Sequence, residues 1–436
     1  LPLVEDASGF TGQADEIVAP RSADEVAALL TQAGRDGVPV TISGAGTGVT
    51  GGRVPGRGLL LSLDRFRRVE IQAGRAFVGA GVPLTELQSA AGRTKQFYAP
   101  DPTEWTASVG GTIATNASGS RSFRFGSTRK HVLALTVALM DGSVRTFRRG
   151  ESVDFDVPAL PIPNTTKCTA GYVLRPGMDW VDLFVGSEGT LGVVLEAEVQ
   201  LLPAKEGMLS GVIFFATDAE ALDAVDAWRS IPGLRMLEYF DHNSLTLLRA
   251  KFPEVPASAG AALLIEDGDG DVDAWVDRLP GDDGWFALTD QDRERFRRFR
   301  HALPEIVNET MHKRGFLKLG SDFAVPIARN REMLAFYHEQ LQGIDYVIFG
   351  HIGDAHVHVN ILPESKEQFE RGKELMTVFA KKAVELGGTV SAEHGLGKRK
   401  AAFLAIQYTA EEIEAMKAVK RRLDPQWLLG QGNLFV

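Results

Sequence analysis

A single cysteine, Cys168, stands in 436 residues, so no internal disulfide can form and the core must hold without staples. Its scarcity fits a reducing compartment, and the expected location is cytoplasmic, with peripheral attachment to a membrane left open. Long hydrophobic runs are also missing: the longest clean one, Val132 to Met140, falls far short of a membrane span and reads as a buried strand, so no transmembrane segment is expected. Basic residues do not dominate either. Lys and Arg number 47 against 57 Asp and Glu, a net charge of -10, which argues against a nucleic-acid partner. The first residue is leucine, so an upstream targeting segment is left open.

What is present is an ordinary globular composition, 44% hydrophobic and 24% charged, in a chain long enough for two or three domains. Ser22 and Glu25 form a capping box ahead of the stripe Val26, Leu29, Leu30 and Ala33, which predicts a helix ended by Gly37 and a strand over Val38 to Ile42. The loop SGAGTGVTGG follows at 43 to 52. Its lack of side chains lets backbone amides approach an anion such as a pyrophosphate. Gly46, Gly48 and Gly51 satisfy GxGxxG, yet Pro55, Gly56 and Gly58 come next and cannot open the helix of a Rossmann turn. A phosphate-cradling loop between strands remains. Two further patches of small residues lie at 100 to 132 (PDPTEWTASVGGTIATNASGSRSFRFGSTRKHV) and 186 to 194 (GSEGTLGVV), with a hairpin over Leu133 to Met140 and Ser143 to Phe147 between them. Three such patches in one α+β region imply one extended cofactor.

From Leu209 the pattern changes. Strands at Leu209 to Ala216, Leu234 to Phe240, Ala261 to Glu266 and Trp285 to Leu288, with helices at Asp218 to Ser230 and Asp271 to Leu279, spell the split βαβ order of a ferredoxin-like sheet. A charged helix from Asp290, a strand over Leu317 to Val325, a helix from Arg329 and a hairpin would extend it. That hairpin is YVIFGHIGDAHVHVN, with strands Tyr346 to His351 and His356 to Leu362 joined by a four-residue loop. His351 then stands opposite His356, and alternation puts His358 and Asn360 on the same face. Convergent imidazoles point to a divalent metal, zinc first, with manganese or ferrous iron also compatible. Glu393, in the glycine-flanked SAEHG, is the best-placed further ligand, and His394 beside it is placed to act as a general base. A last helix is expected over Ala410 to Leu423.

In this order, SGAGTGVTGG, PDP with SVGGTIATNASG, and GSEGTLGVV resemble the FAD-contacting segments of the vanillyl-alcohol oxidase type flavoproteins. GHIGDAHVH and SAEHGLGKRK resemble the C-terminal domain of their D-2-hydroxyacid dehydrogenase branch, which includes the D-lactate, glycolate and D-2-hydroxyglutarate dehydrogenases. The resemblance implies an α+β fold: a two-part FAD-binding domain (1–205), a ferredoxin-like antiparallel substrate and metal cap (206–400), and a helical segment (401–436) returning to the FAD domain. By the same likeness Ser43, Gly44, Ala45, Gly46, Thr47 and Gly48 hold the pyrophosphate. Pro100, Asp101, Gly110, Gly111, Thr112, Asn116 and Gly119, with Glu188 and Gly189, line the rest of the FAD. His351, His358 and Glu393 hold the metal; His394 takes the hydroxyl proton; Arg300 and Lys318 grip the substrate, and Asn360 joins the catalytic set. The chain departs from the family at His356, where asparagine is usual, and at GQGN near Asn433, where relatives often have an asparagine, proline and glycine turn.

The implied activity is oxidation of a D-2-hydroxy acid to the 2-oxo acid by hydride transfer to flavin. Its partners are a small 2-hydroxy acid and an external electron acceptor, a quinone, a cytochrome or an electron-transfer flavoprotein, with a homodimer left open. Two alternatives stand beside it: a non-redox flavoenzyme of the alkyl-dihydroxyacetonephosphate synthase type, and an FAD-carrying accessory subunit of a larger oxidase.

Overall fold

Local signals near the N-terminus act as expected in the computed structural model, which describes residues 1–204, 207–281 and 284–436. The expected domain boundary between residues 205 and 206 lies outside the described residues. Ser22 accepts from the Glu25 amide at 3.2 Å, the helix Ala23–Asp36 follows, and Gly37 ends it at a φ of 66°. This helix packs its buried residues Val26, Leu30 and Ala33 with Val40, Leu59 and Leu61 of a small parallel sheet. Leu59–Ser62 lies at the centre of that sheet, between Glu16–Val18 and Val40–Ser43. All four of its residues are buried, as a strand covered on both faces requires.

A second sheet is antiparallel, in the order Val144–Arg148, Val132–Ala138, Val193–Gln200, Arg75–Gly79, Val69–Gln72. Its expected hairpin turns at Asp141 and Gly142, with Gly142 at a φ of 83° and Val144 opposite Ala138. No helix follows the glycine loop until Leu84–Gly92, in keeping with the rejected Rossmann reading.

The third sheet has seven strands, in the order Gly284–Phe286, Leu209–Phe215, Ala261–Asp267, Leu234–Asp241, Tyr346–Gly350, His358–Ile361, Leu319–Gly320. Its first four strands have the spatial order of the split βαβ unit, fourth, first, third, second, and every pairing in the sheet is antiparallel. Alternate residues of Leu209–Phe215 serve two cores: Val212 and Phe214 meet Phe299 and Leu303 of the helix Asp290–Arg314, while Ile213 and Phe215 meet Leu222 and Trp228 of the helix Asp218–Trp228. The histidine hairpin extends this sheet, as expected. No helix among the described residues is long and apolar enough to cross a membrane.

Two strand expectations need correction. Over Leu317 to Val325 the paired strand covers only Leu319–Gly320, because the Ser321 hydroxyl accepts the Val359 N–H at 2.8 Å in place of the next backbone carbonyl, and pairing resumes only as a single bridge from Ala324 to Thr389. In the hairpin the ladder stops at Phe349 opposite His358. His351 and His356 therefore lie in the connection, which turns through Ile352–Asp354 and a left-handed Ala355 at φ 51°. They still face each other across its neck: the His356 amide donates to the His351 carbonyl at 3.2 Å.

The C-terminal segment closes back on the small parallel sheet. Val40 donates to Leu428 O and accepts from the Gly430 amide, both at 2.8 Å. The buried Lys420 of the helix Ala410–Leu423 secures this return, donating to Leu429 O at 2.7 Å and Thr190 O at 2.8 Å and pairing with the buried Asp424. Lys420→Met leaves Asp424 buried and unpaired and should destabilise by about 3–5 kcal/mol. A denaturation midpoint lowered in Lys420→Met and partly restored in Lys420→Met/Asp424→Leu checks this.

Candidate active site

One cavity of about 1270 Å³ separates the glycine loop from the seven-stranded sheet. One wall consists of residues 44–50, Ser108, Gly110–Thr112 and Ser187–Gly189, and the other carries Lys318, Ser321, His358, Asn360, Glu393 and His394. Of the FAD residues expected from sequence, Gly44, Ala45, Gly46, Thr47, Gly48, Gly110, Gly111, Thr112, Glu188 and Gly189 line it. Ser43, Pro100, Asp101, Asn116 and Gly119 do not. They support the wall from behind: Asn116, at φ 48°, accepts the Arg129 amide at 2.9 Å, and a Cβ on Gly119 would meet Asp101 O at 1.8 Å. Asn433, despite the altered turn, does line the cavity and donates to Gly52 O and Glu188 O at 3.0 Å.

The glycine loop fits an anionic group. The amides of Gly46, Thr47 and Gly48 donate to no acceptor among the described residues, and a Cβ on Gly48 would have nothing within 4 Å. Donors without acceptors beside open space form an anion cradle.

Across the cavity the sheet and the loop after Thr389 bring His351, His356, His358 and Glu393 together, with one ligand atom from each within 4.8 Å of the others. Glu393 Oε1 lies 3.2 Å from His351 Nε2 and 3.3 Å from His358 Nε2. A tetrahedron with bonds of about 2.0–2.1 Å has edges near 3.3 Å, so these spacings suit ligands of one ion. The other oxygen, Oε2, accepts from Lys167 Nζ and Ser118 Oγ, both at 3.2 Å. The hydrogen bond from His358 Nδ1 to Ser321 O at 2.9 Å leaves Nε2 bare, and Glu238 lies 2.6 Å behind His351 Nδ1.

Charge agrees with this geometry. Four carboxylates, the buried Glu238, Asp322 and Asp354 and the part-buried Glu393, have only Lys167 and Arg300 as lysine or arginine partners within 4 Å among the described residues. With neutral imidazoles that leaves two negative charges, the complement of one divalent cation. Burial opposes ionisation of Glu238, yet His351 and Arg300 outweigh it and bring its pKa to about 2. Burial likewise opposes charge on His351, but Glu238 raises its pKa to about 9. Glu393 is held well below the ordinary carboxylate range because Lys167 and His351 overcome its burial.

The remaining expected residues fall around this centre. His394 stacks on His358 with ring centroids 5.6 Å apart, and burial lowers its pKa, so the ring is neutral near pH 7. Asn360 is buried with neither amide atom partnered. Lys318 faces the cavity without a partner among the described residues. Arg300 is displaced: it lines an adjoining recess, where Nε pairs with Glu238 at 3.3 Å and Nη2 donates to Thr103 Oγ1 at 3.3 Å. Glu238, Asp322 and Lys167 had no sequence signal beyond their residue type, because each reaches the site from a segment distant along the chain.

Residues 205–434 match the family of FAD linked oxidases, C-terminal domain, and residues 14–148 match the FAD binding domain. This chain belongs to the FAD-linked oxidase family. It is 31% identical to glycolate oxidase subunit GlcD of Bacillus subtilis (strain 168), over 98% of this chain and 90% of that one. It is also 31% identical to a D-lactate dehydrogenase of Archaeoglobus fulgidus, over 96% and 90%, and 30% identical to a D-2-hydroxyglutarate dehydrogenase of Xanthomonas citri pv. viticola, over 96% and 89%. Among solved structures an alkyldihydroxyacetonephosphate synthase superposes with a TM-score of 0.68 at 18% identity, covering 95% of this chain and 76% of that one, which speaks for the fold alone.

An FAD-linked oxidase must cradle a pyrophosphate, and Gly48 offers a clean test. With open space around its Cβ position and no left-handed φ, Gly48→Ala should leave apoprotein stability within about 0.5 kcal/mol. The added methyl enters the anion cradle and should weaken FAD binding by about 1–3 kcal/mol. Apoprotein melting and flavin titration, run side by side, separate the two effects.

Proposed function

We propose that this FAD-linked oxidoreductase oxidises a D-2-hydroxy acid to the corresponding 2-oxo acid and passes the electrons to an external acceptor. The observation that carries the reading is the facing of two walls: a glycine cradle on one side of the cavity, and His351, His358 and Glu393 on the other. The names of the relatives, two D-2-hydroxyacid dehydrogenases and a glycolate oxidase subunit, agree with it. We keep the division into an FAD part (1–205), a cap (206–400) and a returning C-terminal segment (401–436).

When bound, FAD supplies the hydride acceptor and a divalent ion, zinc first among candidates, supplies Lewis acidity toward the substrate oxygens. His394 is the base. Its lowered pKa keeps the imidazole able to accept the hydroxyl proton, and Asp322, with Oδ1 3.6 Å from Nδ1, steadies the imidazolium that results. Asn360 and Lys318 meet the substrate from the main cavity, because a buried amide without partners and an unpaired ammonium both call for an oxygen ligand. Arg300 reaches the carboxylate from the recess with Nη1, the nitrogen that Glu238 and Thr103 leave free.

Anaerobic stopped-flow reduction with D- and L-2-hydroxy acids tests this reading. Flavin should bleach with the D enantiomer, and chelated protein and His358→Ala should retain FAD but slow by about 100-fold or more, while dithionite still reduces both. Bleaching at the same rate in chelated, metal-free protein, or no bleaching by any 2-hydroxy acid, would overturn it. The GlcD relative is named as a subunit, which favours a second arrangement in which this chain works within a larger oxidase. Substrate bleaching by the isolated chain followed by turnover with an artificial acceptor would exclude that dependence.

Metal uptake should also release a proton. His351 has a pKa raised to about 9 in the metal-free protein, so it is protonated at neutral pH and must lose that proton to bind an ion through Nε2. Apparent affinity should therefore rise about tenfold per pH unit from pH 7 and level off near 9. Chelator competition across that range measures the slope.

A further inference from the structure

One imidazole of the cluster has no role in the mechanism above. His356 is fully buried, and its ring centroid lies 4.6 Å from that of His358 and 5.3 Å from that of His351. Burying a third imidazole beside two others is costly unless both its nitrogens find partners. The three rings share one pattern. Each has an acceptor near one nitrogen: Glu238 at His351 Nδ1, Ser321 O at His358 Nδ1, and Asp322 Oδ1 at His356 Nε2, 3.2 Å away though off the line of an ideal hydrogen bond. An outer acceptor on one nitrogen is how proteins orient imidazoles that bind metals through the other.

The opposite nitrogens are then Nε2 of His351, Nε2 of His358 and Nδ1 of His356. Among the described residues the one hydrogen-bond partner of His356 Nδ1 is Lys167 Nζ, at a long 3.5 Å, and that ammonium is already held by Gly119 O at 3.0 Å and by Glu393 Oε2 and Asp354 Oδ2 at 3.2 Å. The lysine does not need the imidazole as an acceptor. Apart from that long contact, Nδ1 is the nitrogen left to face an ion.

We infer that His356 is a fourth protein ligand of the same divalent ion, through Nδ1, giving a shell of three imidazoles and one carboxylate oxygen. This rests on the metal reading above and deepens it. Four protein ligands complete a tetrahedron, so a substrate oxygen must enter as a fifth or sixth ligand. Such a shell moves the preference away from zinc, which it admits only by expansion, toward an ion that accepts more than four ligands, such as Mn²⁺, Fe²⁺ or Co²⁺. The Asp322 carboxylate that backs His356 also accepts the His394 amide at 3.0 Å and the Ser391 hydroxyl at 2.8 Å. The added ligand is thereby tied to the loop that carries the base.

X-ray absorption on the cobalt-loaded holoprotein counts the imidazoles directly, and three are expected. In parallel, chelator competition measures Co²⁺ affinity in His356→Asn. Losing an outer partner of a ligand costs roughly 10–100-fold in affinity, and losing a ligand should cost no less. Unchanged FAD content shows that the variant folds; if it does not fold, the imidazole count of the native protein decides alone. Two imidazoles in the native protein, or a Co²⁺ affinity in folded His356→Asn within twofold of native, overturns the inference and leaves the metal reading standing. Failure of native protein to bind Co²⁺ overturns both.

Discussion

The site depends on one carboxylate being divided between two partners. Glu393 gives Oε2 to Lys167 and Ser118, which come from the segments around the cofactor wall, and Oε1 to His351 and His358, which come from the seven-stranded sheet. A carboxylate anchored on one oxygen cannot rotate, so the other is aimed at the imidazoles at no further entropic cost. Without the ammonium, Glu393 would be a buried charge facing Glu238, Asp322 and Asp354, and the cluster would repel itself. Lys167, fully buried itself, is thus as necessary to the geometry as any ligand.

The four carboxylates differ in function because their partners differ. Asp322 accepts from the Glu393 and His394 amides and the Ser391 hydroxyl, so it shapes the loop that carries both of these residues. Glu238 pairs with His351 on one oxygen and Arg300 on the other, which explains why the arginine lies in the recess and not on the main wall. Its carboxylate is pinned between two cations, one of them titratable.

Much of this was legible in the sequence where signals are local. The capping box at Ser22, the Asp141–Gly142 turn and the order of strands after Leu209 depend on neighbours a few residues apart, and the chain folds there as those residues dictate. The convergence of His351, His356 and His358 was also readable, since the pairing register sets the neck of the hairpin even though the ladder ends one step sooner. Leu317 to Val325 misled because its alternation continues past Gly320 while a serine hydroxyl, which no periodicity registers, takes over the next pairing position. Lys167 was illegible for a deeper reason. It stands in an irregular stretch, and only the packing of two distant segments makes its ammonium a buried counter-ion.

The loop that carries His394, the proposed base, is held to the cofactor wall as well as to Asp322. Glu188, at φ 51° and buried, accepts the amides of Leu396 at 2.8 Å and Gly397 at 2.7 Å. Thr50, at the end of the glycine loop, accepts those of Lys398 and Arg399 at 2.9 and 3.0 Å. Gly397 has no alternative, since a Cβ there would lie 2.2 Å from Thr50 O at a φ of 51°. Burial raises the Glu188 pKa to about 7, against the lowering effect of its bonds from Leu396 and Gly397, and those two amides have no other acceptor among the described residues. Sharing one loop between both walls fixes the distance from His394 to the cofactor cradle through the buried Glu188 carboxylate and the backbone carbonyl of Thr50. The proposed reaction, in which proton and hydride leave the same carbon–oxygen unit, depends on such a fixed distance.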